Sequence, residues 1–425
     1  MRRKLNIKVD NVALYKHQLY QYALNYPHFA ILNSHHYPSK FPFIAALGAI
    51  SILTPQKDFF DSLFYWKKNI HDWVFGHLSY DLKNEIEPLQ SNNPDFIHFP
   101  LMSFFQPQII IFINNSHVCY QYPERQTKKE IQKIHSDILS TPVEKIVNIP
   151  NFKQRMSREE YFHRFNQIKR HIQLGNIYEI NFCQEFYCEN FIANPALCFN
   201  ELAQTTPMPF SAFYRHHHSF LLCASPERYL KKEGLKICSQ PIKGTQKRSS
   251  ANDIQNKHIL ENNAKEHAEN VMIVDLVRND LSRTANKNSV KVKELCKVYA
   301  FPTVFQMIST IESKVSPHIP FTDIIKTTFP MGSMTGAPKI KAMEIIEQYE
   351  KTKRGLFSGS VGYITPDNDF DFNVVIRSLQ INQANNYANF ITGGAITIQS
   401  EAENEYSECF VKAQGLLNAL KTKIE

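Results

Sequence analysis

Short apolar runs of strand length recur along the chain and are separated by turns. Examples are Phe29–Leu32, Ile109–Ile113 and Phe220–Cys223. Four longer stretches instead follow the spacing or the end signals of helices. They span residues 158–174, 253–282, 338–350 and 401–421. The sequence therefore predicts an α+β fold that is rich in strands.

The length of 425 residues allows one large domain or two to three ordinary ones. A polar, lysine-rich stretch from 121 to 156 contains Pro123, Pro142 and Pro150 and is the best linker candidate. We therefore expect a division of the chain into residues 1–150 and 151–425.

The charge and cysteine patterns narrow the functional classes. The net charge is +8, but the basic residues are dispersed and no nucleic-acid-binding motif appears, so a small dicarboxylate substrate suits this charge better than nucleic acid. The eight cysteines form no CxxC pair, which disfavours a zinc site. The apolar run Phe43–Leu53 is too short to span a bilayer, and the N-terminus lacks the pattern of a signal peptide. We therefore predict a cytoplasmic protein with no membrane partner.

One lysine is placed where the backbone is expected to turn. The stretch Pro241-Ile242-Lys243-Gly244-Thr245 follows a short alternating segment. Proline fixes one dihedral angle and glycine frees the next pair, which predicts a sharp turn that holds the amine in a cleft. A solvated surface turn is the commoner reading of such a pattern alone.

Carboxylates recur at helical spacing in two of the predicted helices. Glu266 and Glu269 are three residues apart, and Glu405, Glu408 and Lys412 share one face of the last helix. Such pairs are often solvated helix faces. If the four carboxylates converge, they repel one another unless a hard cation such as Mg²⁺ binds them.

Two glycine-containing segments are candidates for ligand contact. The run Thr335-Gly336-Ala337 precedes a helix with proline in its first turn, an arrangement that leaves amides free to bind an anion. Gly393 and Gly394 lie inside a predicted strand, where a ligand could approach the backbone closely. An ordinary helix cap is the alternative for the first segment.

Five motifs occur in a characteristic order. They are Ser225–Arg228, the PIKGT run, Lys265–Arg283, Gly332–Lys339 and Glu405–Lys412. In this order they resemble the chorismate-binding family, which includes the large subunits of anthranilate synthase and aminodeoxychorismate synthase and the isochorismate and salicylate synthases. The resemblance covers roughly residues 155–425. Lys243 favours the aminodeoxychorismate branch, because anthranilate synthases typically have alanine at that position.

The resemblance implies a fold and a division of labour between two regions. The fold would be an α+β sandwich like that of anthranilate synthase, with two antiparallel β-sheets and outer helices. Residues 1–150 would form the N-terminal subdomain, and residues 151–425 would form the chorismate-binding catalytic domain.

The resemblance also assigns roles to individual residues. Lys243 would be the nucleophile and Glu227 the acid. Glu269 and Glu408 would bind Mg²⁺ directly, with Glu266 and Glu405 acting through water. The substrate would be held by Thr335, Gly336, Ala337, Tyr363, Arg377, Gly393, Gly394 and Lys412.

The implied reaction is the amination of chorismate to 4-amino-4-deoxychorismate. Lys243 would add to the ring, the ring hydroxyl would leave with a proton from Glu227, and ammonia would displace the lysine. We expect burial and a nearby cation to lower the pKa of Lys243, and an apolar or anion-rich site to raise the pKa of Glu227.

Ammonia would come from a separate glutamine amidotransferase subunit, because no glutaminase nucleophile motif is present. Two alternatives stay open. One is the large subunit of anthranilate synthase, which Lys243 opposes, as does Gln306, where those enzymes usually have histidine. The other is a non-catalytic subunit that binds chorismate or tryptophan.

Three positions depart from the family pattern or match it only in part. Glu179 stands where isochorismate and salicylate synthases have a lysine and most amination relatives have a glutamine, and a salt-bridged or solvated glutamate is the plain alternative. Met331 replaces a common glycine. Around Ser34 only Leu32-Asn33-Ser34 matches the segment near which the family binds tryptophan, so a tryptophan site and a plain core strand both stay open.

Overall fold

The computed structural model describes residues 2–144, 149–248, 252–301 and 304–425. In these ranges the α-helices are α1 (Val12–Ala23), α2 (Phe59–Asn69), α3 (Lys128–Ser140), α4 (Arg158–Gln173), α5 (Pro195–Thr205), α6 (Asp253–Glu261), α7 (Ala264–Ser282), α8 (Phe321–Thr328), α9 (Lys339–Tyr349) and α10 (Ala402–Leu420). Short 3-10 helices span Tyr80–Glu85 and Gly332–Met334. Given their lengths and hydropathy, none of the helices in the described ranges could cross a bilayer.

The strands are β1 (Arg2–Lys8), β2 (His28–Asn33), β3 (Phe43–Leu53), β4 (Val74–Leu78), β5 (Met102–Asn114), β6 (His117–Pro123), β7 (Lys153–Gln154), β8 (Glu179–Cys188), β9 (Phe210–His216), β10 (Ser219–Ser225), β11 (Arg228–Glu233), β12 (Lys236–Gln240), β13 (Ile242–Lys247), β14 (Lys291–Ala300), β15 (Val304–Lys314), β16 (Gly336–Ala337), β17 (Ser360–Ile364), β18 (Phe370–Asn373), β19 (Ser378–Asn382) and β20 (Tyr387–Ile396). Every pair of these strands is antiparallel.

The strands form two sheets that share the long strand β5. The first sheet runs β1-β6-β5-β3-β2-β9-β10-β19-β20-β8, with β7 and β16 paired to β8. The second runs β5-β4-β17-β18-β11-β12-β15, with β13 and β14 also paired to β15. The part of β5 near Phe105 pairs with both β3 and β4, so the two sheets diverge from one strand.

The two sheets pack face to face. Ala30, Ile44 and Tyr214 of the first sheet share one buried apolar layer with Phe75 and Val361 of the second. The opposite faces are covered by helices, with α1, α3, α4, α5 and α10 on the first sheet and α2, α7 and α8 on the second. This is the predicted α+β sandwich with outer helices, and the fold class is confirmed.

The predicted helix over 253–282 is wrong in one respect, because the structure has two helices there. The first, α6, ends at Glu261 and the second, α7, begins at Ala264. The side chain of Asn263 accepts a hydrogen bond from the backbone N–H of Glu266 and so caps α7. Asparagine is among the best N-cap residues, which favours a new helix start at this point.

The stretch predicted as a linker, 121–156, contains helix α3. A capping box between Thr127 and Glu130 starts this helix, and Ile131 and Ile138 bury its apolar side. Residues 145–148 of the stretch lie outside the described residues. The linker prediction is therefore wrong for 128–140, where only a narrow apolar stripe marks the helix.

Strands of the N-terminal region are built into both sheets. Strand β2 pairs with β9, and β4 pairs with β17. The division into residues 1–150 and 151–425 stays a prediction, and the pairing means that the two regions share their sheets.

Candidate active site

Lys243 lies on a bulged strand and not in the predicted turn. In β13, Ile242 pairs with Ile308 and Thr245 pairs with Gln306, so the β13 side contains one extra residue. Gly244 has a φ of +91°, a conformation that glycine adopts without strain. A bulge of this kind re-aims the neighbouring side chain. The proline and glycine around Lys243 correctly indicated that the backbone changes direction there. It does so in a β-bulge and not in a turn.

The amine of Lys243 is paired with Glu179. Nζ of Lys243 donates to Oε1 of Glu179 at 2.7 Å, and the two side chains are 11% and 1% exposed. Burial alone lowers the pKa of Lys243, but the carboxylates of Glu179, Glu269 and Glu408 outweigh it and raise that pKa above its ordinary value. The expectation of a lowered pKa is therefore wrong for this arrangement, in which Lys243 is an ammonium.

Glu227 occupies the connection between β10 and β11. Its backbone N–H donates to Oγ of Ser225, and Oγ of Ser333 donates to its carboxylate at 2.6 Å. Burial raises the pKa of Glu227 to about 7, although Ser333 and the charge of Lys243 act in the opposite direction. The predicted rise is confirmed, and the influence of Lys243 indicates that the two groups face one site.

Three of the four helix glutamates pair with lysines. Lys265 lies 3.2 Å from Glu405 and 3.8 Å from Glu269, and so joins α7 to α10. Lys412 is 2.7 Å from Glu408 and also donates to the carbonyl of Gly393. The two helices therefore do bring their carboxylates to one region.

The charges at the site are not fully balanced by protein groups. If all were ionised, the four helix glutamates and Glu179 would outnumber Lys243, Lys265 and Lys412 by two charges. Burial, and to a smaller extent the neighbouring carboxylates, raises the pKa of Glu269 to about 7 and that of Glu266 above its ordinary value. Lys412 outweighs burial at Glu408 and lowers its pKa. Such an excess of buried carboxylates favours the binding of a cation.

The donor set fits a hard divalent cation, although it is not preformed as a ligand cluster. Within the described ranges, no group of three or more His, Cys, Asp or Glu side chains is arranged to hold a metal ion. Magnesium, however, commonly takes only one or two protein carboxylates together with water and substrate oxygens. Oε1 of Glu269 and Oε2 of Glu405 are buried without a hydrogen-bond partner. Such oxygens are suited to receive a cation.

The glycine-containing segments form the backbone walls of this region. Gly336 pairs with Ile180 and Ala337 with Glu179 across β16 and β8, and a Cβ on Gly336 would come within 2.2 Å of the Glu179 carbonyl. A Cβ on Gly394 would lie 2.7 Å from Oε2 of Glu405. Glycine is therefore required at both positions, because the neighbouring atoms leave no room for a side chain.

Around the loop that precedes β16, the predicted residues have local contacts. The hydroxyl of Thr335 donates to the carbonyls of Met331 and Gly332. Met331 itself is buried in the apolar layer beneath α7 and α8, so its side chain does not occupy the site. Anion binding by Thr335, Gly336 and Ala337 stays a prediction.

Among the residues that the structure describes, Arg377 has no anionic partner. It is half-buried with a φ of +50°, and its guanidinium makes no hydrogen bond or ion pair with any described residue. Its carbonyl accepts from Ala224, which places it beside the end of β10 that leads to Glu227. Burial lowers its pKa. A carboxylate of a ligand would supply the missing partner.

Two predicted site residues lie elsewhere. The ring of Tyr363 packs against Phe41, Trp73 and Phe75 in the layer between the sheets. Ser34 follows β2, and its hydroxyl donates to the carbonyls of Tyr37 and Pro42 in its own turn. In the described residues neither has a hydrogen bond to Lys243, Glu227 or the helix glutamates, and their binding roles stay predictions.

Two residues of the site were missed by sequence reasoning. Ser333 hydrogen-bonds Glu227, and Lys265 bridges the two helices. Both lie inside the motifs, and Lys265 is four residues before Glu269, so its spacing could have indicated it. The Lys243–Glu179 pair could not be found from spacing, since 64 residues separate its members.

Comparisons with known proteins identify the family of the chain. The family described as chorismate binding enzyme matches residues 48–418. The chain is 37% identical over 273 residues to aminodeoxychorismate synthase component 1 of Klebsiella aerogenes, which is 64% of this chain and 60% of that protein. It is 36% identical over 283 residues to the protein of the same name from Escherichia coli, covering 66% and 62%.

The matched segment thus spans about three fifths of the length of these relatives. Among solved structures, anthranilate synthase component I from Streptococcus pneumoniae has the same fold, with a TM-score of 0.78, 23% identity and coverage of 90% of this chain and 93% of that chain. With the family matched over most of its length, the chain belongs to the chorismate binding enzymes.

Proposed function

We propose that this chain aminates chorismate to 4-amino-4-deoxychorismate, using ammonia from a separate glutamine amidotransferase subunit. The observation that carries the proposal is a lysine, Lys243, that shares one buried site with a glutamate of raised pKa, Glu227. The names of the relatives from Klebsiella aerogenes and Escherichia coli support it. The predicted cytoplasmic location and the catalytic role of residues 151–425 belong to the same proposal.

The substrate is a dicarboxylate, and the site offers cationic groups to hold it. The unpaired guanidinium of Arg377 would take one carboxylate in a bidentate pair. Lys412 and the amides around Gly336 would face the rest of the molecule, with Gly393 and Gly394 permitting close approach. Tyr363 would also bind the substrate, a role for which the family pattern is the support.

A magnesium ion would be held by Glu269 and Glu408 directly and by Glu266 and Glu405 through water. When bound, it would neutralise the charge of the ring carboxylate and of the excess glutamates. Oε2 of Glu405, which has no hydrogen-bond partner among the described residues, and Oε1 of Glu269, whose nearest cation is Lys265 at 3.8 Å, support this assignment.

The chain's own residues divide the remaining work. Lys243, once it has lost a proton, adds to the ring carbon beside the one that bears the carboxylate. The ring double bonds shift and the hydroxyl leaves as water with the proton of Glu227, whose pKa of about 7 keeps much of it protonated near neutral pH. Ammonia then adds where the hydroxyl was, and the lysine departs.

The test is to identify the product that the purified chain makes from chorismate, MgCl₂ and NH₄Cl, by chromatography with mass detection. We expect 4-amino-4-deoxychorismate, lost in Lys243→Ala. Anthranilate as product would overturn the proposal in favour of the anthranilate synthase reaction. No product, even with a glutaminase subunit added, would favour a non-catalytic subunit.

A further inference from the structure

The proposed function requires Lys243 to be a neutral amine when it attacks, yet its amine is paired with a buried carboxylate, which favours the ammonium form. Its Nζ has one hydrogen-bond acceptor among the described residues, Oε1 of Glu179 at 2.7 Å. Because both side chains are almost fully buried, a proton that leaves Nζ meets this carboxylate before it meets bulk water.

Glu179 is held in place by its backbone. It begins β8, where it pairs with Ala337, and its carbonyl lies against Gly336 so closely that no side chain would fit there. Its second oxygen, Oε2, is buried and has no hydrogen-bond partner in the part of the chain that the structure describes. When one carboxylate oxygen is hydrogen-bonded and the other has no donor, the carboxylate can accept a proton without breaking another contact.

We propose that Glu179 is the base that takes the proton from Lys243 and later returns it. This inference rests on the proposed function, in which Lys243 is the nucleophile. The proton moves from the ammonium to the carboxylate, which leaves a neutral amine and a neutral carboxylic acid. Since the pair has no net charge before or after, the transfer creates no unpaired buried charge.

The steps that follow balance. Neutral Lys243 forms its bond to the ring, and the C–O bond of the hydroxyl breaks as Glu227 supplies a proton, so water leaves and Glu227 becomes a carboxylate. Ammonia forms its bond to the ring as the bond to Lys243 breaks. The new ammonium group gives one proton to Glu227, and Glu179 returns its proton to the freed Lys243.

The other carboxylates near Lys243 are committed elsewhere. Glu227 must be protonated to act as the acid and is bonded to Ser333. Glu269 and Glu408 lie beside Lys265 and Lys412 and are the candidates for the cation. A glutamine at position 179 could accept the same hydrogen bond but could not take the proton.

The experiment compares Glu179→Gln, Glu179→Ala and a matched control, Glu185→Gln. Glu185 lies on the same strand and the same face and is equally buried, but it contacts Arg155 and not Lys243. Product formation from chorismate, MgCl₂ and NH₄Cl is measured for each folded variant, with and without added formate, and thermal unfolding is recorded in parallel.

We expect Glu179→Gln to be about 10²–10⁴-fold slower than the unsubstituted chain. Formate should restore part of the rate of Glu179→Ala, where it can occupy the vacated space, and should not restore Glu179→Gln. The control Glu185→Gln should keep the unsubstituted rate. Recovery by a small carboxylate separates a base from a residue that only supports the fold.

A Glu179→Gln rate equal to the unsubstituted rate, or a Glu179→Ala rate that formate does not raise, would overturn the inference alone, provided that product formation still depends on Lys243. If the unsubstituted chain makes no 4-amino-4-deoxychorismate, the proposed function fails and the inference fails with it. If Glu179→Gln does not fold, the response of Glu179→Ala to formate decides.

Discussion

The two ends of strand β8 carry buried glutamates on the same face, and they differ in how fully they are hydrogen-bonded. Both oxygens of Glu185 are used, since Oε2 accepts from Arg155 at 2.8 Å and Oε1 accepts from Tyr387 at 2.9 Å and Asn389 at 2.6 Å. Among the described residues, the carboxylate of Glu179 has one hydrogen-bond partner, Lys243, and its Oε2 has none. Buried polar groups are normally satisfied, so this unpaired oxygen sets Glu179 apart from Glu185.

The backbone in the middle of the strand takes part in a buried ion-pair network. Between the two glutamates, the backbone N–H of Cys183 donates to Glu350, and Arg354 donates to the carbonyl of Asn181 while it pairs with Glu350. Both side-chain amide atoms of Gln184, next to Glu185, are buried without a hydrogen-bond partner among the described residues, so the contrast holds between the two carboxylates and not between the two ends of β8. On one strand, a carboxylate with both oxygens hydrogen-bonded supports the structure, whereas a carboxylate with an unpaired oxygen is available for chemistry.

The largest expected effect is at Lys243. Lys243→Ala should lower the rate of product formation by about 10⁴-fold or more, because removal of a nucleophile leaves only binding and the remaining groups. Lys236→Ala is the control, since Lys236 pairs with Glu312 at the surface, and it should keep the full rate. Steady-state kinetics with NH₄Cl measures the rates of both variants. A nearly full rate in Lys243→Ala would mean that the Glu179–Lys243 pair is not the reactive part of the site.

Next in size is a stability effect in the middle of the strand. Arg354→Met should lower the free energy of unfolding by about 3–5 kcal/mol, because it leaves the buried carboxylate of Glu350 without its partner. Denaturant unfolding measures this loss. A loss below about 1 kcal/mol would mean that the completed network contributes little to stability.

The third prediction concerns pH. Because Glu227 acts as an acid with a pKa raised to about 7, activity should be present below that pKa and fall as the pH rises through it. Glu227→Gln should be about a hundredfold slower and should lose this alkaline fall. A pH profile of product formation checks both, and an alkaline fall that survives in Glu227→Gln would assign it to another group.

The fourth prediction compares the stability of two variants, in each of which one of the two glutamates is replaced by glutamine. Glu185→Gln should lower the free energy of unfolding by about 1–3 kcal/mol, since it disturbs the bonds to Arg155 and Tyr387. Glu179→Gln should lower the free energy of unfolding by less, because it alters only the hydrogen bond to Lys243. Denaturant curves recorded side by side would contradict the comparison if Glu179→Gln were the more damaging change.

The last prediction concerns the cation. MgCl₂ at about a hundredfold excess over its dissociation constant should stabilise the chain by about 2–3 kcal/mol, because binding to the folded state alone shifts the equilibrium. Glu269→Gln should reduce this gain, whereas Glu185→Gln should not. Thermal unfolding with and without MgCl₂ measures the difference, and equal gains in all three proteins would place the ion away from Glu269.

Sequence patterns predicted the parts of this molecule that are local. Helix α4 begins at Arg158 after its Ser157 cap, as the capping signal indicated, and the motifs led to the fold and to the region where Lys243, Glu227 and the helix glutamates meet. These features depend on neighbours within a few residues or on motif order.

Features that depend on pairing between distant segments were not predictable. The bulge at Lys243 arises from the register between β13 and β15, and the partner of Lys243 comes from β8. The pKa of Lys243 is raised by that partner and by neighbouring carboxylates, whereas burial and a nearby cation had predicted the opposite shift. Helix α3 was missed because its buried side consists of few residues.

The most direct test of the central claim is to look for the bond between substrate and enzyme. The chain is mixed with chorismate and MgCl₂ without ammonia, quenched, digested and mapped by mass spectrometry. The account predicts a chorismate-derived mass on the peptide that contains Lys243, formed on a timescale compatible with turnover and released when NH₄Cl is added. Turnover at the full rate with Lys243 unmodified throughout, or with Lys243→Ala still active, would contradict it.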